Sequence, residues 1–326
     1  MSVLATRRGA GALRALVLLT LAAALAGCGR APKLLSQARA SGAESVRWVL
    51  GDSALALSLL GYGVTLVDAA SGRERAAWRT PGRPARAVHG LATSASGETL
   101  AVATAESVRV FVARGLVPVL ATAGHAMALA LSDDGTLLGW TDGAIGRVVE
   151  VGSGAIFSQG EWRCGRDALA WGPLLRSFAL PAGTHVQFPR GDSLSEVTLG
   201  PFAEGVPQQL AFSASGATLA VRESSGAISF WDLRGDRMRW RLALAGPARA
   251  EGMAMSGDTH YLATSQAGRA RLMWAYTGKP IADWSPHGGA HVRDLAFSRD
   301  GRRLATVGAE GRVRVWAVPA PPRGRT

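Results

Sequence analysis

Short apolar runs separated by glycine-centred turns recur along most of the chain, and residues 292–316 are the clearest copy. There Leu295-Ala296-Phe297 and Leu304-Ala305-Thr306-Val307 flank the turn Arg299-Asp300-Gly301. A third run, Val313 to Trp316, follows a second turn at Glu310-Gly311. Val313 and Val315 alternate with Arg312 and Arg314, the period-two pattern of a strand with two distinct faces. Three short strands on tight turns make an antiparallel meander. Such a meander cannot bury its faces alone and needs neighbours of its own kind.

The chain supplies them. The unit Leu-Ala-apolar-Ser appears at Leu91-Ala92-Thr93-Ser94, Leu129-Ala130-Leu131-Ser132, Leu169-Ala170-Trp171-Gly172 and Leu210-Ala211-Phe212-Ser213. It returns at Met253-Ala254-Met255-Ser256 and Leu295-Ala296-Phe297-Ser298, and Trp48-Val49-Leu50-Gly51 reads as a degraded first copy. The successive spacings are 43, 38, 40, 41, 43 and 42 residues. Seven copies at this period, with four strands per unit, predict an all-β, seven-bladed β-propeller with four antiparallel strands per blade. The large residue and the alanine point to opposite faces of the strand. Alanine fits the crowding round the axis, and its large neighbour fills the gap to the next blade.

The other strands keep the same grid. Gly72, Gly115, Gly154, Gly235 and Gly278 mark the turn from a third to a fourth strand. Repeat four, Asp167 to Leu199, is the weakest copy, with its fourth strand expected over Leu194–Leu199. Repeat seven has no fourth strand of its own. After Trp316-Ala317-Val318 come Pro319-Ala320-Pro321-Pro322, which cannot donate to a ladder in the usual way. Lys33 to Ala38 lies before repeat one and has no other assignment. It is expected to pair antiparallel with residues 312–318 and close the last blade. The organisation is thus residues 1–27 as a signal peptide, 28–32 as a tether, 33–318 as the propeller and 319–326 as a Pro/Arg-rich tail.

From Trp48 to Trp316 these repeats resemble WD-repeat β-propellers. Trp231-Asp232 matches the dipeptide that names the family, with Trp274 and Trp316 at the same place. The usual Gly-His before the first strand is mostly absent, and only Asp142 gives an aspartate in the second turn. The polar His-Asp-Ser-Trp network of the family is therefore expected to be incomplete. What the resemblance implies is a platform for protein partners.

The first residues change the setting. Arg7, Arg8 and Arg14 precede an uncharged stretch of 12 residues, Ala15 to Ala26. That stretch is too short to span a bilayer as a helix and has the layout of a secretory signal peptide. Gly9-Ala10 lacks the apolar residues a twin-arginine signal needs, which points to ordinary export. Leu25-Ala26-Gly27-Cys28 resembles the lipobox of bacterial lipoproteins, which implies cleavage before Cys28 and a diacylglycerol on its sulfur. Gly29 is not the aspartate of an inner-membrane retention signal, so the expected place is a bacterial cell envelope, facing the periplasm, with the outer membrane favoured. With Cys28 lipidated, Cys164 has no partner for an intramolecular disulfide. It reads as a small buried filler or a reactive thiol.

An apolar fraction of 48% is ample for a large core. The formal charge is +12; residues 1–27 hold three arginines and no acid, so the remainder carries +9. Only Lys33 and Lys279 are lysines, an arginine skew that itself inflates the charge. An envelope destination makes nucleic acid a poor fit as partner and leaves acidic proteins or anionic lipid.

Candidate chemistry is sparse. His89, His125 and His291 occupy comparable loop positions just before first strands. They read either as remnants of the family's structural histidine or as a metal cluster round the axis. Asp167 and Asp294, at the start of first strands, are the acids a propeller enzyme could use. No G-x-S-x-G, Walker-type or Cys-His metal motif is present. No catalytic residue, cofactor or metal ligand is therefore assigned. Arg79, Arg83 and Arg86 lie in a proline-stiffened loop between blades one and two, and Arg163, Arg166, Arg249 and Arg293 fall in comparable loops. Together they form a candidate arginine rim able to dock carboxylates bidentately. The reading is a lipid-anchored scaffold for envelope proteins, without catalysis. The alternatives are a scaffold resembling the propeller lipoprotein of the outer-membrane barrel-assembly machinery, and a periplasmic propeller hydrolase or oxidoreductase.

Overall fold

The computed structural model describes residues 31–80, 87–162, 168–188, 198–202, 205–243 and 252–320. The expected signal peptide and Cys28, the loop holding Arg83 and Arg86, residues 163–167, Arg249 and residues 321–326 lie outside them. In chain order, β1 (Lys33–Arg39) comes first and belongs to the last blade. Blade one is β2 (Ala43–Val49), β3 (Ala54–Leu59), β4 (Gly63–Asp68) and β5 (Glu74–Arg79). Blade two is β6 (Val88–Thr93), β7 (Thr99–Thr104), β8 (Ser107–Val112) and β9 (Val117–Ala123). Blade three is β10 (Ala128–Leu131), β11 (Leu137–Thr141), β12 (Ile145–Glu150) and β13 (Ile156–Glu161). Blade four is β14 (Ala170–Gly172), β15 (Ser177–Ala182), β16 (His185–Gln187) and β17 (Thr198–Leu199). Blade five is β18 (Pro207–Phe212), β19 (Thr218–Glu223), β20 (Ile228–Asp232) and β21 (Arg237–Leu242). Blade six is β22 (Met253–Met255), β23 (Tyr261–Gln266), β24 (Arg269–Trp274) and β25 (Pro280–Trp284). Blade seven is β26 (Val292–Phe297), β27 (Arg303–Gly308), β28 (Arg312–Ala317) and then β1.

The architecture is the expected one, a seven-bladed propeller of four-stranded antiparallel sheets. The closure is also as expected: β1 runs antiparallel to β28, with Lys33 opposite Ala317 and Arg39 opposite Arg312. Blade four is the poorest sheet, and its described outer strand is only Thr198–Leu199. The rest of the expected Leu194–Leu199 strand lies outside the described residues.

Blade one departs from its expected register. Val49 pairs with Ala54 and Trp48 with Leu55, whereas Phe297 pairs with Leu304 in blade seven. Val46-Arg47-Trp48-Val49 is therefore the true first copy, two residues earlier than Trp48-Val49-Leu50-Gly51. The reason lies in the turn: Leu50, Gly51 and Asp52 all have positive φ (54°, 58° and 66°), so the strand ends at Val49.

Each blade buries its faces against its neighbours. Among the described residues seven apolar cores occur, one between each neighbouring pair of blades. Between blades seven and one, Ala296, Ala305, Val307, Val313 and Val315 pack on Val46, Trp48, Leu55 and Leu57. The outer strands are twisted away by β-bulges. Among the described residues six blades carry one between third and fourth strand, at Leu66/Val67, Val110/Phe111, Val148/Val149, Phe230/Trp231, Leu272/Met273 and, in the closing blade, Leu34/Ser36.

Trp316 sits in the last blade, 9% exposed, in the core shared with blade six, and its indole N–H donates to Thr306 Oγ1 at 3.0 Å. Trp316→Ala is expected to cost about 3–5 kcal/mol, read from urea unfolding followed by circular dichroism. A loss under about 1 kcal/mol would mean that the closing blade is not packed as described.

Candidate interaction surface

An antiparallel four-stranded blade has two ends. One end carries the turns from first to second and from third to fourth strand. The other carries the turns from second to third strand and the loops from each fourth strand to the next blade. Arg79 and Arg293 of the candidate rim belong to the second end, the loop face. Of the seven, Arg83, Arg86, Arg163, Arg166 and Arg249 lie outside the described residues. Arg79, the last residue of β5, is exposed. Arg293 is exposed as well, but its guanidinium is ion-paired with Glu44 of blade one. Exposed apolar side chains accompany them on this face: Leu60 and Tyr62 in blade one, Met127 and Ile145 in blade three, and Val206 before blade five. Thr80 N–H donates to Tyr62 O at 3.2 Å, so Tyr62, 57% exposed, stands beside the start of the loop that carries Arg83 and Arg86.

The mouth of the ring on this face is built from the first strands. Their pairing with the second strands skips one residue in four blades, at Glu44, His89, Gln208 and Arg293. Each stands five residues before the end of its strand copy, so the same extra residue recurs round the mouth. Two residues before the end of each copy lies the small position: Ala92, Ala130, Ala170, Ala211, Ala254 and Ala296 in six blades. In blade one this place is taken by Arg47. Its Nη1 donates to Asp294 Oδ2 at 2.6 Å and to Val46 O at 2.6 Å. Asp294 is buried and also accepts Val46 N–H at 3.0 Å and Leu295 N–H at 2.8 Å. One of the two acids that an enzyme reading needs is thus held as a clamp between blades seven and one; Asp167 lies outside the described residues.

The histidines divide. His89 and His125 meet edge to face across blades two and three, ring centroids 5.9 Å apart. His291 lies in another blade. Among the described residues no group of three or more His, Cys, Asp or Glu could hold a metal ion. The structural histidine is instead His287, which the sequence reading passed over. Its ring is buried, with Nε2 2.9 Å from Thr306 Oγ1 and Nδ1 2.5 Å from Glu310 Oε1. Trp316 Nε1–H donates to the same Thr306 hydroxyl. The partners assign the tautomer: Nδ1–H donates to Glu310, and Thr306 O–H donates to Nε2. Blade seven therefore has a complete network, with threonine for serine and glutamate for aspartate. The expectation of an incomplete network is corrected for this blade. Gly308 makes the space, since a Cβ there would lie 2.4 Å from the His287 ring. His287 was hidden because Gly288 and Gly289, both at positive φ, set it five residues ahead of β26. The network reaches the closing strand: Arg314 Nη1 lies 3.3 Å from Glu310, and Arg314 Nε donates to Gln37 Oε1 of β1 at 3.3 Å. In blade three Asp142 holds its own turn, accepting Ala144 and Ile145 N–H at 3.0 and 2.8 Å.

The comparisons agree with this geometry. Residues 278–317 match the family model described as WD domain, G-beta repeat, the stretch that holds the His287 network. No curated protein matches the chain. Among solved structures the propeller is similar to the crystal structure of the C-terminal WD40 domain of Sif2. The TM-score is 0.71 at 14% identity, covering 90% of this chain and all of that one. At that identity the likeness is one of fold.

Burial holds the His287 pKa below its ordinary value; Glu310 pulls it back in part and Arg314 adds to the lowering. A depressed histidine means the unfolded chain binds more protons. Stability is therefore full above the ordinary histidine pKa of about 6.5 and falls as pH drops through it. The melting temperature should decline between about pH 7.5 and about pH 5.5, and His287→Gln, less stable throughout, should show a flatter profile. Parallel profiles for the two proteins would exclude His287 as the titrating group.

Proposed function

We propose that this chain is a lipid-anchored propeller of a bacterial cell envelope that docks protein partners through its loop face, without catalysis. The reading is supported most by Tyr62, an exposed aromatic side chain standing where the arginine-bearing loop of residues 81–86 begins. Tyrosine and arginine are the residue types enriched where protein interfaces carry their binding energy. The sequence adds Arg163, Arg166 and Arg249 in comparable loops. The partner is an envelope protein with an acidic surface, because guanidinium groups pair bidentately with carboxylates. Lipidation of Cys28 supplies the anchor and keeps the scaffold at the membrane, facing the periplasm.

Both halves are testable. Cys28→Ser should release the protein from the membrane fraction in high salt; retention there would count against the lipid anchor. Arg83→Glu with Arg86→Glu should shift the melting temperature by no more than about 4 °C, since isolated surface charges contribute about 0–1 kcal/mol each. The same double variant should weaken capture of the acidic partner in crosslinking pull-downs from membranes, as raised salt would. Equal yields of the same proteins from native and variant would remove this rim as the interface.

A further inference from the structure

Both chain ends leave the ring on the face opposite the loops. Val318 N–H donates to Arg302 O, in the first turn of blade seven, at 2.8 Å, and the Tyr261 hydroxyl donates to Pro319 O. Lys33 lies opposite Ala317 on the neighbouring strand. The described chain therefore begins and ends on the face built from first-to-second and third-to-fourth turns, here termed the terminal face.

That face has an unusual outer edge. Within two residues of its turns stand Leu35, Val117, Ile156, Phe157, Met238 and Tyr276, all exposed, Phe157 at 67% and Tyr276 at 55%. They come from blades seven, two, three, three, five and six, so they recur round the circumference. Leu35 is the extra residue of a bulge in the β1–β28 pairing, which leaves it without a partner opposite. Charged side chains of both signs stand in the same outer positions: Lys33 at the start of β1, and Arg73, Arg114, Arg234 and Lys279 in third-to-fourth turns, with Glu74, Glu150 and Asp236 exposed in or beside the same turns. An edge of exposed apolar and aromatic side chains set among charged ones is what a surface lying in the polar headgroup layer presents to lipid.

We propose that the terminal face lies on the membrane surface, with this apolar edge in the headgroup layer and the loop face turned away from it. The inference rests on the lipid-anchor reading for its occupant. Residues 29–32 separate Cys28 from Lys33, and the five residue steps from one to the other span at most about 18 Å. A lipid on Cys28 thus brings this face, and not the arginine loops, to the bilayer.

The test uses the full lipidated chain with Cys164→Ser and one added cysteine: Phe157→Cys, Tyr276→Cys or, on the opposite face, Tyr62→Cys. Each is labelled with a fluorophore and reconstituted into phosphatidylethanolamine–phosphatidylglycerol vesicles containing nitroxide-bearing lipid. Quenching at 157 and 276 should exceed that at 62 by about twofold or more if the edge sits in the headgroup layer. Equal or stronger quenching at 62 overturns the orientation. The mass of the N-terminal peptide reports the anchor separately. If Cys28 carries no lipid, the anchoring reading falls, and the unlipidated chain is mixed with the same vesicles. Quenching at 157 and 276 above that at 62 then sustains the face as a membrane contact; no quenching at either overturns it.

Discussion

The pairing of β1 with β28 is the constraint on which the rest of the ring depends. No blade can bury both faces unless both neighbours are present, and the last blade is complete only when residues 33–39 return to residues 312–317. This contact spans nearly the whole chain, so its loop-closure entropy must be met by dense local bonding at the seam. The seam supplies it. Asp294 clamps Arg47 and Val46 N–H, and Trp48 Nε1–H donates to Ala296 O at 2.9 Å. Asp52 accepts Arg299 N–H at 2.8 Å, and the Arg303 guanidinium donates to Asp52 O while stacking over the Trp48 ring at 4.6 Å. The Ser36 hydroxyl donates to Ala69 O at 2.6 Å. Blades that follow one another along the chain are already tethered to each other. Blade one is tethered to blade seven only through β1, by residues 40–42; β26–β28 reach it with no direct chain link, and directional polar bonds select their register where chain connectivity cannot.

The same logic explains why two sequence rules fail at the seam. Six blades present alanine near the axis, and blade one presents Arg47. A long charged side chain is tolerated because Asp294 waits beside it, and the pair is only partly buried, at 32% and 12% side-chain exposure. Pairs of this kind add modest net stability. Their value here is geometric, since the carboxylate meets Arg47 and Val46 N–H together only when blades seven and one are in register. The His287 network works from the same blade's other side. It fixes Trp316 through Thr306 and reaches Gln37 of the closing strand through Arg314.

Periodicity made the fold legible because six of the seven blades set a large apolar residue and an alanine side by side at the same place. The closure was legible by elimination, since a proline-rich end left β28 in need of a partner and residues 33–38 lacked one. Register was less so. Trp48-Val49-Leu50 reads as a continuing apolar strand, and only three successive left-handed residues reveal that it stops at Val49. His287 escaped because spacing rules assume a fixed loop, and two glycines lengthen this one. Surface charges are the least legible of all: Arg293 counts as a free cation in sequence but pairs with Glu44 in space. An arginine-rich chain hides which of its charges are already neutralised.

The two ends of the ring differ in kind, and the difference follows from connectivity. Apart from residues 188–197 in blade four, the connections on the terminal face are turns of about five residues, several of them held by their own side chains. Asp68 accepts the N–H groups of Ala70 and Ser71, at 3.1 and 2.7 Å, and Asp134 and Asp258 are bound by Ser132 and Ser256 at 2.6 Å. These hydrogen bonds lower all three carboxyl pKa values, so the turns stay charged and ordered well into acid. On the loop face the connections between blades must cross from an outer strand back to the axis, and those over residues 80–87, 162–169, 200–206, 243–252 and 285–291 are longer than the turns and able to vary without disturbing a ladder. A ring whose termini share one rigid face leaves the opposite, variable face unobstructed. That asymmetry exists whatever the partner is, because it is set by where β1 enters and β28 leaves.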